Sequence, residues 1–321
     1  MPQQCCAEGL KTWFLWGLFH LFQYLPNSSY ILRSWRLGAS QNLNKMTEPN
    51  SFLQINSTLA RRMIVDFIHS EITRTGFTRG ILGLSGGIDS SLVAFLAVEA
   101  LGKDNVLGLI MPYRTSNPTS RADAEAVAQQ LGIATRLIEI TPMVEPYIAQ
   151  YAPDARRRGN VMARARMIVL YDQSEEFRAL VIGTSNKTEA LLGYTTHFGD
   201  NAAAIQPIAD LYKCQVRQLA RAVGVPQTII DKAPSADLWQ GQTDEGELGF
   251  TYDQADAILY RLVDERRRIE EVIALGFDER IVRRIVTLMA RNHFKRVPPP
   301  VAKLSARTIG IDFLYNRDWN T

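Results

Sequence analysis

The chain has 321 residues, 46% apolar and 21% charged, with a formal net charge of +3. That is enough for one large domain or two small ones around a sizeable core, and the balance excludes a disordered chain. Three cysteines, two of them the neighbours Cys5 and Cys6, exclude a disulfide-stapled scaffold and favour a reducing, cytoplasmic compartment.

Residues 1–45 differ from the rest. They hold three of the five tryptophans, four basic residues and one acid. The remaining 276 residues then carry 32 basic and 32 acidic side chains. The apparent basicity belongs to the leader, and the main domain has no charge excess to recommend nucleic acid as a partner. The apolar run from Thr12 to Tyr24 falls short of the roughly 20 residues that span a bilayer. Pro26-Asn27-Ser28-Ser29 makes a poor cleavage site. Two readings stay open: translation starts at Met46, or the leader targets the chain or touches a membrane. The expected division is an atypical leader over 1–45 and one enzyme domain over 46–321.

Asn56, Ser57 and Thr58 offer helix caps ahead of Leu59, Met63, Ile64, Phe67, Ile68 and Ile72, one apolar helical face. Gly80–Leu84 reads as a short strand, Leu92–Leu101 as a buried helix and Val106–Met111 as a second strand. A loop from Pro112 to Pro118 precedes a helix over Ser120–Leu131 and a third strand over Thr135–Ile140. A long helix over Val161–Phe177 leads to a fourth strand, Ala179–Gly183. This alternation predicts an α/β fold, a doubly wound parallel sheet with helices on both faces. Helices are expected again over Lys213–Val223, Tyr252–Val263 and Glu279–Asn292, giving a helical C-terminal part. Between them Ala233–Gly249 is polar and long enough to act as a lid.

The chemistry gathers at Ser85-Gly86-Gly87-Ile88-Asp89-Ser90-Ser91, between the first strand and its helix. Glycines there let backbone amides approach an anion, and the helix N-terminus adds partial positive charge. The hydroxyls of Ser85, Ser90 and Ser91 are further donors. Asp89 would repel phosphate unless a divalent cation stood between them, which points to Mg²⁺ bridging Asp89 and a polyphosphate. The loop is neither a Walker A sequence nor a dinucleotide-binding turn.

Ser-Gly-Gly-x-Asp-Ser resembles the phosphate loop of the N-type ATP pyrophosphatases, which cleave ATP to AMP and pyrophosphate while adenylating a substrate oxygen. Gly159–Met167, Gly183–Glu189, Leu192–Tyr194, Phe198–Asp200, Asp210–Lys213, Ala233–Leu238 and Glu247–Gly249 are similar, in order, to segments of the NAD synthetases within that superfamily. The resemblance spans roughly 57–305. It implies an adenine nucleotide alpha hydrolase-like domain, usually a homodimer. It also implies ATP-dependent amidation of deamido-NAD: the nicotinate carboxylate takes AMP from ATP, and ammonia then displaces it.

By the same resemblance Ser85, Gly86, Gly87, Ile88, Asp89, Ser90 and Ser91 hold ATP phosphates, with Thr184, Lys213 and Ser235 as further ATP contacts. Asp89 and Glu189 become Mg²⁺ ligands, and Asp89 and Lys213 the groups that act on the reacting phosphates. Arg164, His197, Asp200, Phe294 and Lys295 fall at deamido-NAD positions. Arg166 points elsewhere on its helix. Arg114 and Arg121 flank the loop after the second strand, as phosphate ligands or as plain surface residues. Cys214 reads as core.

Three departures touch the acceptor side. His197 stands where the family pattern has lysine, Ala204 where it has aspartate, and Phe294 where it has histidine. A relative that amidates another carboxylate is therefore the alternative. A tRNA-modifying member is less well matched, since the main domain has no Cys-x-x-Cys. The leader is too short for a glutaminase, so ammonia is expected free or from a separate glutaminase protein.

Overall fold

The computed structural model describes residues 51–306 apart from 236–241, together with Thr308 and Ile311. The leader, Met46 and the middle of the expected lid lie outside the described residues.

In chain order the elements are α1 (Ser57–Arg74), β1 (Gly80–Gly83), α2 (Ile88–Leu101), β2 (Val106–Ile110), α3 (Pro118–Leu131), β3 (Ala134–Leu137), α4 (Thr141–Tyr151), α5 (Ala155–Phe177) and β4 (Leu180–Val181). There follow α6 (Lys187–Leu192), α7 (Lys213–Val223), α8 (Gln227–Ile230), α9 (Asp244–Leu248), α10 (Tyr252–Leu259), α11 (Ile269–Ala274) and α12 (Glu279–Arg291). Asn56 caps α1, its side chain accepting from Leu59 N at 3.0 Å.

All pairings in the sheet are parallel, in the order β3-β2-β1-β4. Because side chains alternate along a strand, β1 and β2 each feed two cores. Leu82, Val106 and Ile110 join one with α1, α2, α3 and α7. Ile81, Leu107 and Leu109 join another with α4 and α5. Each fully buried leucine, such as Leu82 or Leu92, contributes about 2 kcal/mol. Helices thus cover both faces, as the alternation predicted.

The chain lays β1, β2 and β3 outward, then returns to place β4 on the other side of β1. The crevice at the C-terminal ends of β1 and β4 is therefore the switch point of the sheet, where ligands bind in open α/β folds. The Ser85–Ser91 turn and the segment from Thr184 to Asn186 both leave the sheet there.

Several elements differ from expectation. The fourth strand shrinks to Leu180–Val181, extended by a parallel bridge between Ile182 and Ile205. Residues 244–248 of the expected lid are helical, because Thr243 caps the start and Gly249 adopts the left-handed end conformation. The helix from Tyr252 passes into a π turn at Tyr260–Asp264. On α1 only Ile68 and Ile72 are fully buried, while Leu59, Met63 and Phe67 are exposed. Among the described residues no helix is long and apolar enough to cross a membrane.

Candidate active site

The turn after β1 is built for close backbone approach. Gly86 adopts φ +75°, and a Cβ on it would stand 2.0 Å from the Ser120 carbonyl oxygen. Only glycine fits. Gly87 is the N-cap of α2 and brings no side chain to cap it. The first amides of that helix are thereby left for an anion.

The serines divide. Ser85 is exposed, and its Oγ accepts from Gly87 N at 3.2 Å. Ser90 and Ser91 are buried, and both hydroxyls donate to the Gly87 carbonyl, at 3.1 and 2.8 Å. These bonds brace the turn from behind. Ile88 is likewise a core side chain, so only its backbone faces the loop's task.

Beside the turn stands a charged centre drawn from three elements. Lys213, first residue of α7, is 2% exposed. Its Nζ donates to Asp89 Oδ2 at 2.5 Å and to Glu189 Oε1 at 3.1 Å. Burial alone would lower the lysine's pKa, but the Asp89 and Glu189 carboxylates outweigh it and hold the ammonium firmly charged. Burial pushes the Glu189 carboxyl up to about 7; the Lys213 ammonium opposes that rise and the Asp89 carboxylate adds to it.

Asn186, fully buried, ties the centre to the fold. Its Oδ1 caps α6 by accepting from Glu189 N at 3.0 Å, and its Nδ2 donates to Asp89 Oδ1 at 2.9 Å. The Lys213 ammonium also lies over the Tyr252 ring, 5.0 Å from its centre. Tyr252 in turn donates to Asp244 Oδ2 at 3.1 Å. Asn186, Tyr252 and Asp244 were not among the site residues expected from the sequence. For Asn186 a signal existed: Asn followed three residues later by Glu is a helix-start pattern.

Two convergent carboxylates suit a hard divalent cation that keeps water and substrate phosphate as its other ligands. Among the described residues no cluster of three or more His, Cys, Asp or Glu is poised for a metal. A cation at Asp89 and Glu189 would therefore lean on a bound polyphosphate.

The remaining expected site residues form a second group. Arg164 donates from Nε and Nη2 to the His197 carbonyl at 3.3 and 3.1 Å. The His197 ring packs against Phe198 and edge-on to Phe294, with ring centres 3.8 and 5.7 Å away. Asp200 accepts from Thr195 Oγ1 at 2.6 Å and Thr196 N at 2.7 Å, closing its own loop. Lys295 Nζ donates to the Gly193 and Thr195 carbonyls at 2.7 and 2.6 Å, and burial lowers its pKa. Asp200 and Lys295 thus fasten the 193–201 loop that carries His197. Ala204 is exposed, its amide tied to Val181 O at 2.9 Å.

Thr184 follows β4 at the switch point, half-buried. Ser235 donates to the Gln242 carbonyl at 2.8 Å, at the edge of the polar segment. Arg166 turns the other way from Arg164 and reaches the Met111 carbonyl at 3.0 Å. Arg114 pairs with Glu145 and Arg121 with Glu125, both at the surface. The plain surface reading fits these last two. Cys214 is half-buried with its thiol pushed well up by burial, which keeps it protonated and inert.

The family model that matches the chain is NAD synthase, over residues 60–299. An NH(3)-dependent NAD(+) synthetase of Trichlorobacter lovleyi is 55% identical over 271 residues, 84% of this chain and 99% of the relative. Among solved structures, an NMN synthetase from Francisella tularensis is 33% identical, covering 78% of this chain and 99% of that one with a TM-score of 0.70. A glutamine-dependent NAD+ synthetase from Acinetobacter baumannii, solved with ADP, is 29% identical with a TM-score of 0.57. It covers 82% of this chain, which matches 49% of it.

Proposed function

The chain belongs to the NAD synthase family, and from that premise we propose how its residues make NAD. The reaction is ATP-dependent amidation of deamido-NAD with ammonia, releasing AMP and pyrophosphate. The observation that carries the assignment of roles is the meeting of Asp89, Glu189 and Lys213 beside the Gly86–Gly87 turn.

A carboxylate is a poor acyl donor, because its leaving group would be an oxide. In the first step a nicotinate oxygen bonds to the α-phosphorus of ATP while the α–β P–O bond breaks. Pyrophosphate leaves and an NAD-adenylate forms. In the second, ammonia bonds to the activated carbonyl carbon, the C–O bond to AMP breaks, and the nitrogen sheds a proton. Neither step needs a side-chain nucleophile; both need positioning and neutralisation of phosphate charge.

We assign the departing diphosphate to the first amides of α2, with Lys213 as the fixed counter-charge. Mg²⁺ held by Asp89 and Glu189 would supply further neutralisation of the phosphate oxygens. Thr184 flanks the nucleotide at the end of β4, and Ser235 closes over it from the polar segment. Arg164, His197 and Phe294 form the acceptor end, with Asp200 and Lys295 holding the His197 loop in shape.

The acceptor is deamido-NAD on the strength of the curated relative. One second reading has specific support. His197, Ala204 and Phe294 depart from the family pattern, and the Francisella relative is an NMN synthetase. Nicotinate mononucleotide is therefore the rival acceptor.

We also assign the exposed apolar side chains Met143, Tyr147 and Tyr151 of α4 and Ile168 and Tyr171 of α5 to contact with a second copy in a homodimer. A separate glutaminase, if one serves this enzyme, would act by supplying ammonia. Cytoplasmic residence is consistent with its free Cys214.

Incubation with ATP, Mg²⁺, ammonium and deamido-NAD should yield NAD, AMP and pyrophosphate in equal amounts. Faster turnover of nicotinate mononucleotide than of deamido-NAD would replace the acceptor. Absence of pyrophosphate with either would overturn the assignment.

A further inference from the structure

Lys213 begins α7 and Glu189 lies in the first turn of α6, and something must hold those two helix starts in register. Tyr212, the N-cap of α7, brings no side-chain bond to the first amides of that helix. Two of them are satisfied from other helices instead. Lys213 N donates to Thr188 Oγ1 of α6 at 3.0 Å, and Cys214 N donates to Asp256 Oδ2 of α10 at 2.7 Å. Thr188 Oγ1 then donates to Asp256 Oδ1 at 2.5 Å. Thr188 and Asp256 are both fully buried.

This makes a closed circuit. One carboxylate joins the residue before Glu189 to the residue after Lys213, and one hydroxyl joins that carboxylate to Lys213's own amide. Asp256 and Tyr252 stand four apart on α10, so one helical face serves both ends of Lys213. Asp256 fixes its backbone, and the Tyr252 ring lies under its ammonium. A buried carboxylate carries a heavy desolvation cost unless its bonds are made, and here both oxygens have partners. Asp256 bonds to Thr188 and the Cys214 amide, and the ammonium is neutralised by Asp89 and Glu189 without it.

We propose that Asp256, acting through Thr188, is a positioning residue that sets the spacing of Lys213 and Glu189 at the ATP phosphates. The inference rests on the placement of ATP above. Substitution tests it because the circuit has a fixed donor order. In Asp256→Asn one orientation turns an N–H toward the Cys214 amide, donor against donor. The other gives Thr188 Oγ1 a second incoming donor and leaves its own proton unpaired. Thr188→Val keeps the shape and removes the hydroxyl. Thr188→Ser restores it.

Thr188→Val and Asp256→Asn should lower kcat for pyrophosphate release about tenfold or more. The KM for deamido-NAD should change by less than about twofold, since the His197 loop is fastened elsewhere. Thr188→Ser should stay within about threefold of wild type. A merely structural role would lower the melting temperature and leave kcat intact well below it. In the wild-type protein, amide exchange should show Lys213 and Cys214 protected although they begin a helix, where amides are usually open. Rapid exchange there, or Thr188→Val with wild-type kcat, would overturn the proposal. Wild-type enzyme that releases no pyrophosphate would strike the proposed function itself.

Discussion

At the scale of single residues, Lys213 shows how burial and charge decide function together. Its ammonium is withdrawn from water, so two carboxylates must compensate it, and the same two are the expected cation ligands. Lys213→Met should lower kcat by about 10²-fold or more. It should also cost roughly 3–5 kcal/mol of stability, because Asp89 and Glu189 are left facing each other. A denaturant titration beside the kinetics separates the two effects. Gly86→Ala is a sharper case. The added Cβ meets the Ser120 carbonyl, a backbone atom that cannot swing aside, at a positive φ. Loss of ATP binding in calorimetry is expected even where the protein still folds. The residues of this centre were legible in the sequence to different degrees. Asp89, Glu189 and Lys213 matched motif positions, and the glycines followed from the need for close approach. Asp256 carried only a weak signal, a carboxylate on the apolar face of a short helix, and its partners lie far away in sequence.

At the scale of elements, α6 illustrates a cap with two duties. Asn186 satisfies the first turn of the helix and orients Asp89. Asn and Asp cap about equally well. Asn186→Asp should therefore keep α6 stable yet set a second carboxylate against Asp89, and activity should fall at least as far as in Asn186→Ala. A comparison of kcat and melting temperature for the pair checks this; an active Asn186→Asp enzyme would contradict it. The strands β1 and β2 and the helix α7 stood out because their apolar spacing is clean. The helix α4 did not, since Pro142 and Pro146 argue against a helix. Pro142 sits in the first turn, where its missing donor costs nothing. Asp244–Leu248 was hidden by its polarity: its stability comes from Thr243, Gly249 and the buried Asp244 contacts, which no periodicity reveals.

At the scale of the whole molecule, topology chooses where chemistry happens. Reversal of strand order beside β1 opens the crevice, and the chain fills its rim from elements that are distant in sequence. The exposed apolar side chains of α4 and α5 should hold two copies together. Tyr147→Asp combined with Tyr151→Asp is expected to convert a dimer to a monomer in sedimentation. A wild-type monomer would refute that assignment. Deleting residues 1–45 should leave turnover unchanged, since the family match begins at residue 60. Every role assigned at this crevice depends on where the triphosphate sits. A crystal structure with a non-hydrolysable ATP analogue and Mn²⁺, read by anomalous scattering, tests it most directly. Phosphate oxygens are expected on the amides that follow Gly87, and the Mn²⁺ peak between Asp89 and Glu189. Phosphates bound away from that turn, or Mn²⁺ away from those carboxylates, would contradict it.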